Sequence, residues 1–181
     1  MINSTDLYKI DYLADKDVDY RIDRQLKEIL SICFPEQPVF LKQRYFFEMP
    51  QHRWIIFSAD RIIAHAALHE KQISINNSNF EMGCVAEVCV HPQFRGKGIV
   101  HLMLQKINQW LKERNFDFAF LFANHPNVYS PSGYFVITNQ IRYYDPKTNL
   151  WHVECFPDTM ACAISGKIWP GGVVDLKGPK F

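Results

Sequence analysis

The sequence predicts a mixed α/β fold: a largely antiparallel sheet with one central parallel strand pair, flanked by helices. Three observations carry that prediction. The hydrophobic period switches from 2 to 3.6 across the stretch HPQFRGKGIV (residues 91–100), so a strand hands over to a helix there. The run FDFAFLFA (116–123) is too continuously apolar for a half-exposed strand and reads as one buried on both faces. Strand, glycine turn, helix and buried strand in that order form a βαβ unit, whose two strands pair in parallel.

The elements follow along 181 residues, a length that fits a single domain over 1–181. DYRIDRQLKEILSICF (19–34) puts Ile22, Leu26, Ile29, Leu30 and Cys33 on one helical face, and Pro35 stops the helix. RWIIFSADRIIAHAALHEKQISIN (53–76) reads as two strands hinged at Ala59 and Asp60. NNSNFEMG (76–83) reads as a loop leading into the strand CVAEVCV (84–90). Past the glycine stretch, Ile99, Leu102, Met103, Ile107, Trp110 and Leu111 recur at helical spacing as far as Arg114. VYSPSGYFV turns through Pro131 and Gly133, and QIRYYD, LWHVECF and MACAI follow as short strands. In the tail WPGGVVDLKGPKF (169–181), VVDL reads as a final strand.

Composition narrows the function classes. With 48% hydrophobic and 22% charged residues the chain is an ordinary globular protein, not a disordered one. A net charge of +1 and the lack of a basic run give no field to gather nucleic acid or an acidic membrane. Five cysteines without C-x-x-C spacing suit free thiols in a reducing cytosol. Acids interrupt the apolar residues of the N-terminal segment, and no run is long enough to span a bilayer, so a cytoplasmic protein is expected. His65 and His69 fall on one face of a strand but lack a third ligand, so no metal is expected.

The glycine stretch holds the chemistry. A strand that turns on Gly96 and Gly98 into a helix aims several backbone N–H groups into one concavity, where the helix dipole adds positive potential. Arg95 and Lys97 can add charge at its rim. No Ser or Thr follows for magnesium and the spacing is not G-x-G-x-x-G, which argues against nucleoside triphosphates and dinucleotides. A plain connecting turn would use the same glycines.

The stretch VCVHPQFRGKGIV resembles the core signature of the GCN5-related N-acetyltransferase (GNAT) superfamily, R/Q-x-x-G-x-G/A after a V-x-V-x-P strand end. Val88, Val90, Pro92, Arg95 and Gly98 match it, and Val100 departs from it at the final Gly/Ala position. A second family motif, YSPSGY (129–134), follows in order. The resemblance implies acetyl-CoA as donor substrate. Its pyrophosphate would be held by Arg95, Gly96, Lys97, Gly98, Ile99 and Val100, and its pantetheine arm would run along Val88, Cys89 and Val90.

It also implies direct transfer to an amine, with Tyr129 giving a proton to a departing thiolate of similar basicity. Glu87 would draw the amine's proton or anchor an ammonium; a solvent-facing glutamate on a half-exposed strand remains the alternative. Cys89 as an acyl-enzyme nucleophile is a weaker option, since no histidine is placed to activate it. Asn124 would bond the pantetheine arm or simply form a turn. The tail, with IIAHAALHE, is similar to the aminoglycoside 2'-N-acetyltransferase branch, which implies substrate contacts from Asp175 and the terminal carboxylate of Phe181. The acceptor expected is a small-molecule amine. A non-catalytic acyl-CoA sensor, protein amines or longer acyl chains are the other readings, and late aromatic strands suggest a homodimer.

Overall fold

Two tight turns built from left-handed residues set the first half of the sheet. Ala59 and Asp60, at φ 45° and 65°, reverse the chain between β2 (His52–Ser58) and β3 (Arg61–Ile75). Asn76 and Asn77, at φ 48° and 62°, do the same between β3 and β4 (Ser78–Val90). The short polar side chains of Asn and Asp tolerate this region, and two-residue turns of this hand match the twist of the strands they join. The second turn corrects the loop expected over 76–83. Two asparagines suffice, and pairing resumes at once with Ile75 opposite Ser78. The description of this computed structural model covers residues 8–181; residues 1–7, the start of the N-terminal segment with its interrupted apolar run, lie outside it.

Among the described residues ten strands form one sheet in the order β6-β9-β5-β4-β3-β10-β7-β8, with β2 also on β3 and β1 (Ile10–Ala14) on β2. The expected central pair is present: β4 runs parallel to β5 (Phe118–Phe122) through Met82↔Phe118, Gly83↔Ala119 and Cys84↔Phe120. β6 (Phe135–Val136) and β5 both lie on β9 (Thr159–Ala163). The tail strand β10 (Val174–Asp175) corrects the expectation of a single parallel pair, because it is parallel to β7 (Gln140–Asp145) while antiparallel to β3. β8 (Leu150–Cys155) closes that edge.

Two helices cover opposite faces, since successive residues of a strand face opposite sides. α1 (Tyr20–Cys33) starts where the Asp19 carboxylate accepts the Ile22 N–H at 2.8 Å, a side-chain N-cap. It buries Leu26, Ile29 and Leu30 against Phe40, Ile55 and Ile62. α2 (Ile99–Glu113) lays Met103, Leu104, Ile107 and Leu111 on the other face, against Trp54, Ile56 and Leu121. The two face opposite sides because Ile55 lies between Trp54 and Ile56 on β2. No helix among the described residues is long and apolar enough to cross a membrane.

Gly83 marks where α2 presses closest on the parallel pair. A Cβ there would lie 2.6 Å from Leu111 Cδ1, and Leu111 is fully buried and cannot swing aside. Gly83→Ala is expected to destabilise the fold by about 1–3 kcal/mol through overpacking, read by urea unfolding. An unchanged midpoint would contradict this close packing.

Candidate active site

The parallel pair opens into a cleft. Pairing of β4 with β5 ends at Cys84↔Phe120, although β4 continues to Val90 and β5 to Phe122. The parted strands, the turn after β4 and the segment after β5 enclose a cavity of about 920 Å³, a size that suits a cofactor-sized ligand. A second hollow of about 560 Å³, between Phe135–Asn139 and Lys167–Gly171, has no carboxylate, thiol or imidazole in its lining.

Glu87 sits at the bend. Between Ala67↔Ala86 and His65↔Cys89, β4 contains one more residue than β3, a bulge, and Glu87 takes φ 53° within it. The bulge turns its side chain inward, so the solvent-facing alternative is excluded: the carboxylate is only 5% exposed. Its Oε1 accepts the Phe46 N–H at 2.8 Å, and its Oε2 lies 3.4 Å from Arg53 Nη1.

Arg53 is fully buried and organises the rest. Its Nη1–H donates to His65 Nε2 at 2.9 Å, which leaves the proton of neutral His65 on Nδ1, where it reaches the Glu87 carbonyl at 3.1 Å. Its Nη2–H donates to the Arg44 carbonyl at 3.0 Å and its Nε–H to Asp15 at 2.5 Å. Arg44 closes the network by binding Asp15 through Nε at 3.0 Å and Nη2 at 2.6 Å.

This network fixes the charges. Burial pushes the Glu87 carboxyl up to about 7, and the Arg53 charge and Phe46 N–H offset only part of that. Burial, then the Arg53 charge, hold His65 well below the usual imidazole range, so it stays neutral. Burial also raises Asp15, but the hydrogen bond from Arg44 and the Arg53 charge outweigh it and keep it ionised. A carboxyl near 7 can take up or release a proton at neutral pH.

At the cavity's other end, Gly96 and Gly98 take φ 75° and 73° with open space where a Cβ would stand. The first helical bond of α2 runs from Leu102 N–H to Gly98 O, so the N–H groups of Ile99, Val100 and His101 precede it and have no partner within the helix. Val100 packs partly into the core beneath α2 and also lines the cavity. Arg95 lines the cavity, and its Nε–H bonds the Val90 carbonyl at 3.0 Å.

Tyr129 lies between two short 3₁₀ turns, Pro126–Val128 and Ser130–Ser132, and is clamped to α2. His101 Nδ1 meets the Ser132 hydroxyl at 2.8 Å, Asn108 Nδ2–H donates to the Ser132 carbonyl at 3.3 Å, and the Tyr134 hydroxyl donates to Asn108 at 3.0 Å. Burial pushes the Tyr129 phenol up to about 12, with Cys89 adding to the rise.

The cavity gathers Glu87, Val88, Cys89, Val90 and Tyr129, together with Arg95, Gly96, Gly98, Ile99, Val100 and Asn124. Lys97, Asp175 and Phe181, also expected at the site, do not line this cavity. Lys97 Nζ lies 5.0 Å over the Phe94 ring. Asp175 pairs with Arg142 at 2.7 Å, and the Phe181 ring packs on Phe120 and Phe122 behind the cleft. Cys89 is a poor nucleophile, since its contact with Cys33 and its burial push the thiol well above the usual range. His65 and His69 are packed core residues, and no cluster of metal-ligating side chains occurs among the described residues.

Sequence reading missed Arg53, His65 and Asp15 as supports of Glu87. The only trace was an arginine and a histidine inside apolar strands, where an unpaired polar group is costly. A carbon-detected NMR titration is expected to give the Glu87 carboxyl a midpoint of about 7, moving higher in Arg53→Gln, which removes the facing cation. A midpoint near the ordinary 4.5 would contradict the buried, bulged placement.

Residues 15–137 match the family model described as an acetyltransferase (GNAT) domain. No curated protein matches the chain. Among solved structures, Escherichia coli YhbS, a GNAT family N-acetyltransferase in complex with CoA, is similar at TM-score 0.60 and 12% identity over 93% of this chain and 89% of that one. A GNAT family acetyltransferase of Brucella melitensis in complex with acetyl-CoA is similar at TM-score 0.57 and 13% identity over 92% and 94%. A conserved Enterococcus faecalis V583 protein of unknown function, a probable N-acyltransferase, is similar at TM-score 0.59 and 12% identity over 74% of this chain, which spans only 33% of that one. Likeness at such identity shows the fold alone; the family model, which covers well over half of the sequence, shows that the chain belongs to the GNAT acetyltransferase family.

Proposed function

We propose that the chain transfers an acetyl group from acetyl-CoA directly to a primary amine of a small molecule. The observation that carries this reading is the cleft between β4 and β5, with an anion-binding turn at one end and Glu87 and Tyr129 in the same lining. The residues fit the donor. Left-handed Gly96 and Gly98 and the free N–H groups opening α2 suit a pyrophosphate. The β4 edge at Val88, Cys89 and Val90, unpaired toward β5, suits the amide groups of a pantetheine arm, as does the exposed Asn124.

Acetyl-CoA supplies an activated thioester carbonyl. A backbone N–H at Cys89 or Val90 polarises it. Glu87 takes the proton of the incoming ammonium, directly or through a water, and Arg53 and Phe46 hold its carboxylate in place. Tyr129 needs a refinement of the expectation that phenol and thiolate are equally basic. At about 12, its full proton transfer to a thiolate of ordinary basicity is uphill by roughly 5 kcal/mol. Tyr129 therefore stabilises the sulfur as a hydrogen-bond donor while charge builds, and the amine's own protons complete the transfer.

The acceptor class is small-molecule primary amines, with aminoglycoside-like polyamines among them. The unit responsible is the single domain 1–181, working in the cytoplasm. Homodimers form along β8, an edge strand on which Leu150, Trp151 and Val153 are exposed.

The test is thiol release from acetyl-CoA over an amine panel. Tyr129→Phe is expected to lower turnover ~10²–10³-fold while CoA binding persists, and full activity would overturn the role given to Tyr129. In the wild-type protein kcat/KM should rise with pH through about 7, because Glu87 must lose its proton before it can act as base. Glu87→Gln should abolish that limb. Heat stabilisation by CoA without turnover on any amine would favour a sensor instead.

A further inference from the structure

Two thiols that the acetyl-transfer chemistry leaves unused meet at the wall of the cavity. Cys33 ends α1, Cys89 lies on β4 two residues past Glu87, and both line the cavity as well as the packed seam between α1 and the sheet. Cys33 Sγ lies 3.5 Å from the Val90 carbonyl oxygen. That same oxygen accepts the Arg95 Nε–H at 3.0 Å, which sets the guanidinium beside the Cys33 sulfur. The hydrogen bond from Cys89 lowers the Cys33 thiol to about 7 despite burial, and Arg95 adds to the lowering. The same contact and burial raise Cys89. Since the thiolate is the attacking species in disulfide exchange, the pair has a built-in order: Cys33 reacts first and Cys89 resolves.

We propose that Cys33 and Cys89 form a reversible dithiol site, oxidised by a low-molecular-weight disulfide that enters through the cofactor cavity. The Cys33 thiolate attacks one sulfur of the reagent, breaking its S–S bond, releasing one half as thiolate and leaving a mixed disulfide on Cys33. Cys89 then attacks the Cys33 sulfur, its proton passes to the departing half, and that half leaves as a thiol. Two protein thiols are oxidised to one disulfide, and the reagent is reduced to two thiols. The bridge ties β4 at Cys89 to the end of α1, along the stretch proposed to carry the pantetheine arm. Loss of activity on oxidation therefore rests on the acetyl-transfer reading, whereas the thiol chemistry does not.

The test is mass spectrometry of the intact reduced protein, followed by peptide mapping, after exposure near neutral pH to CoA disulfide or, separately, to glutathione disulfide. Wild-type protein is expected to lose the mass of two hydrogens and to map a Cys33–Cys89 bridge, forming faster with CoA disulfide than with glutathione disulfide. Cys89→Ala should stop at the mixed disulfide on Cys33, and Cys33→Ser should leave Cys89 free. Exposed Cys155 serves as the internal reference in every sample. Cys33 reacting more slowly than Cys155, or faster bridging by glutathione disulfide, would overturn the proposal. Rates of Cys33 alkylation in unmutated protein, rising through pH of about 7, keep the test independent of whether the variants fold. A chain that bridges yet acetylates no amine overturns only the acetyl-transfer reading; one that acetylates while Cys33 stays inert overturns only the dithiol.

Discussion

One left-handed residue inside a strand, Glu87 at φ 53°, is the constraint on which the site depends. A non-glycine residue in that region costs on the order of 1–3 kcal/mol and persists only where its surroundings over-determine it. Here they do. His65 holds the Glu87 carbonyl, and Phe46 and Arg53 hold the two carboxylate oxygens. The extra residue falls just beyond the point where the pairing of β4 with β5 ends, and it sets the Glu87 side chain on the side of Phe46 and Arg53. The placement of this carboxyl group, beside the cleft that opens where the strands part, is therefore a product of one distortion.

The same network links the site to the rest of the fold. Arg53 cannot be buried alone, because an unpaired interior charge is strongly destabilising. Asp15, next to β1, and the Arg44 carbonyl complete its set of partners. The segment around Arg44 to Phe46 is thereby fastened over β4, and its Phe46 N–H reaches Glu87. On the opposite face, His101 and Asn108 of α2 clamp the turn that carries Tyr129. Each helix face and each support thus has a packing role and a positioning role.

Much of the scaffold was legible because its signals are local. The switch of period after Val90 announced strand and helix, and the unbroken apolar run at Phe118 to Phe122 announced a central strand. Gly96 and Gly98 marked a turn of left-handed backbone between strand and helix. What stayed hidden was non-local or a matter of one residue. A bulge adds a single position to a strand and leaves no mark in the alternation, so Glu87 read equally well as facing water. Arg53, His65 and Asp15 meet only once β1, β2 and β3 are paired. Nor did the sequence show the contacts that Lys97 makes with Phe94 and Arg95 with the Val90 carbonyl.

The central claim is that the parted strands and the glycine turn together receive coenzyme A. Amide NMR shifts during a titration with CoA test it most directly. The account predicts that the N–H signals of Gly96, Gly98 and Ile99 move together with those of Val88 to Val90. Signals that stay in place, or that move only elsewhere on the sheet, would contradict it.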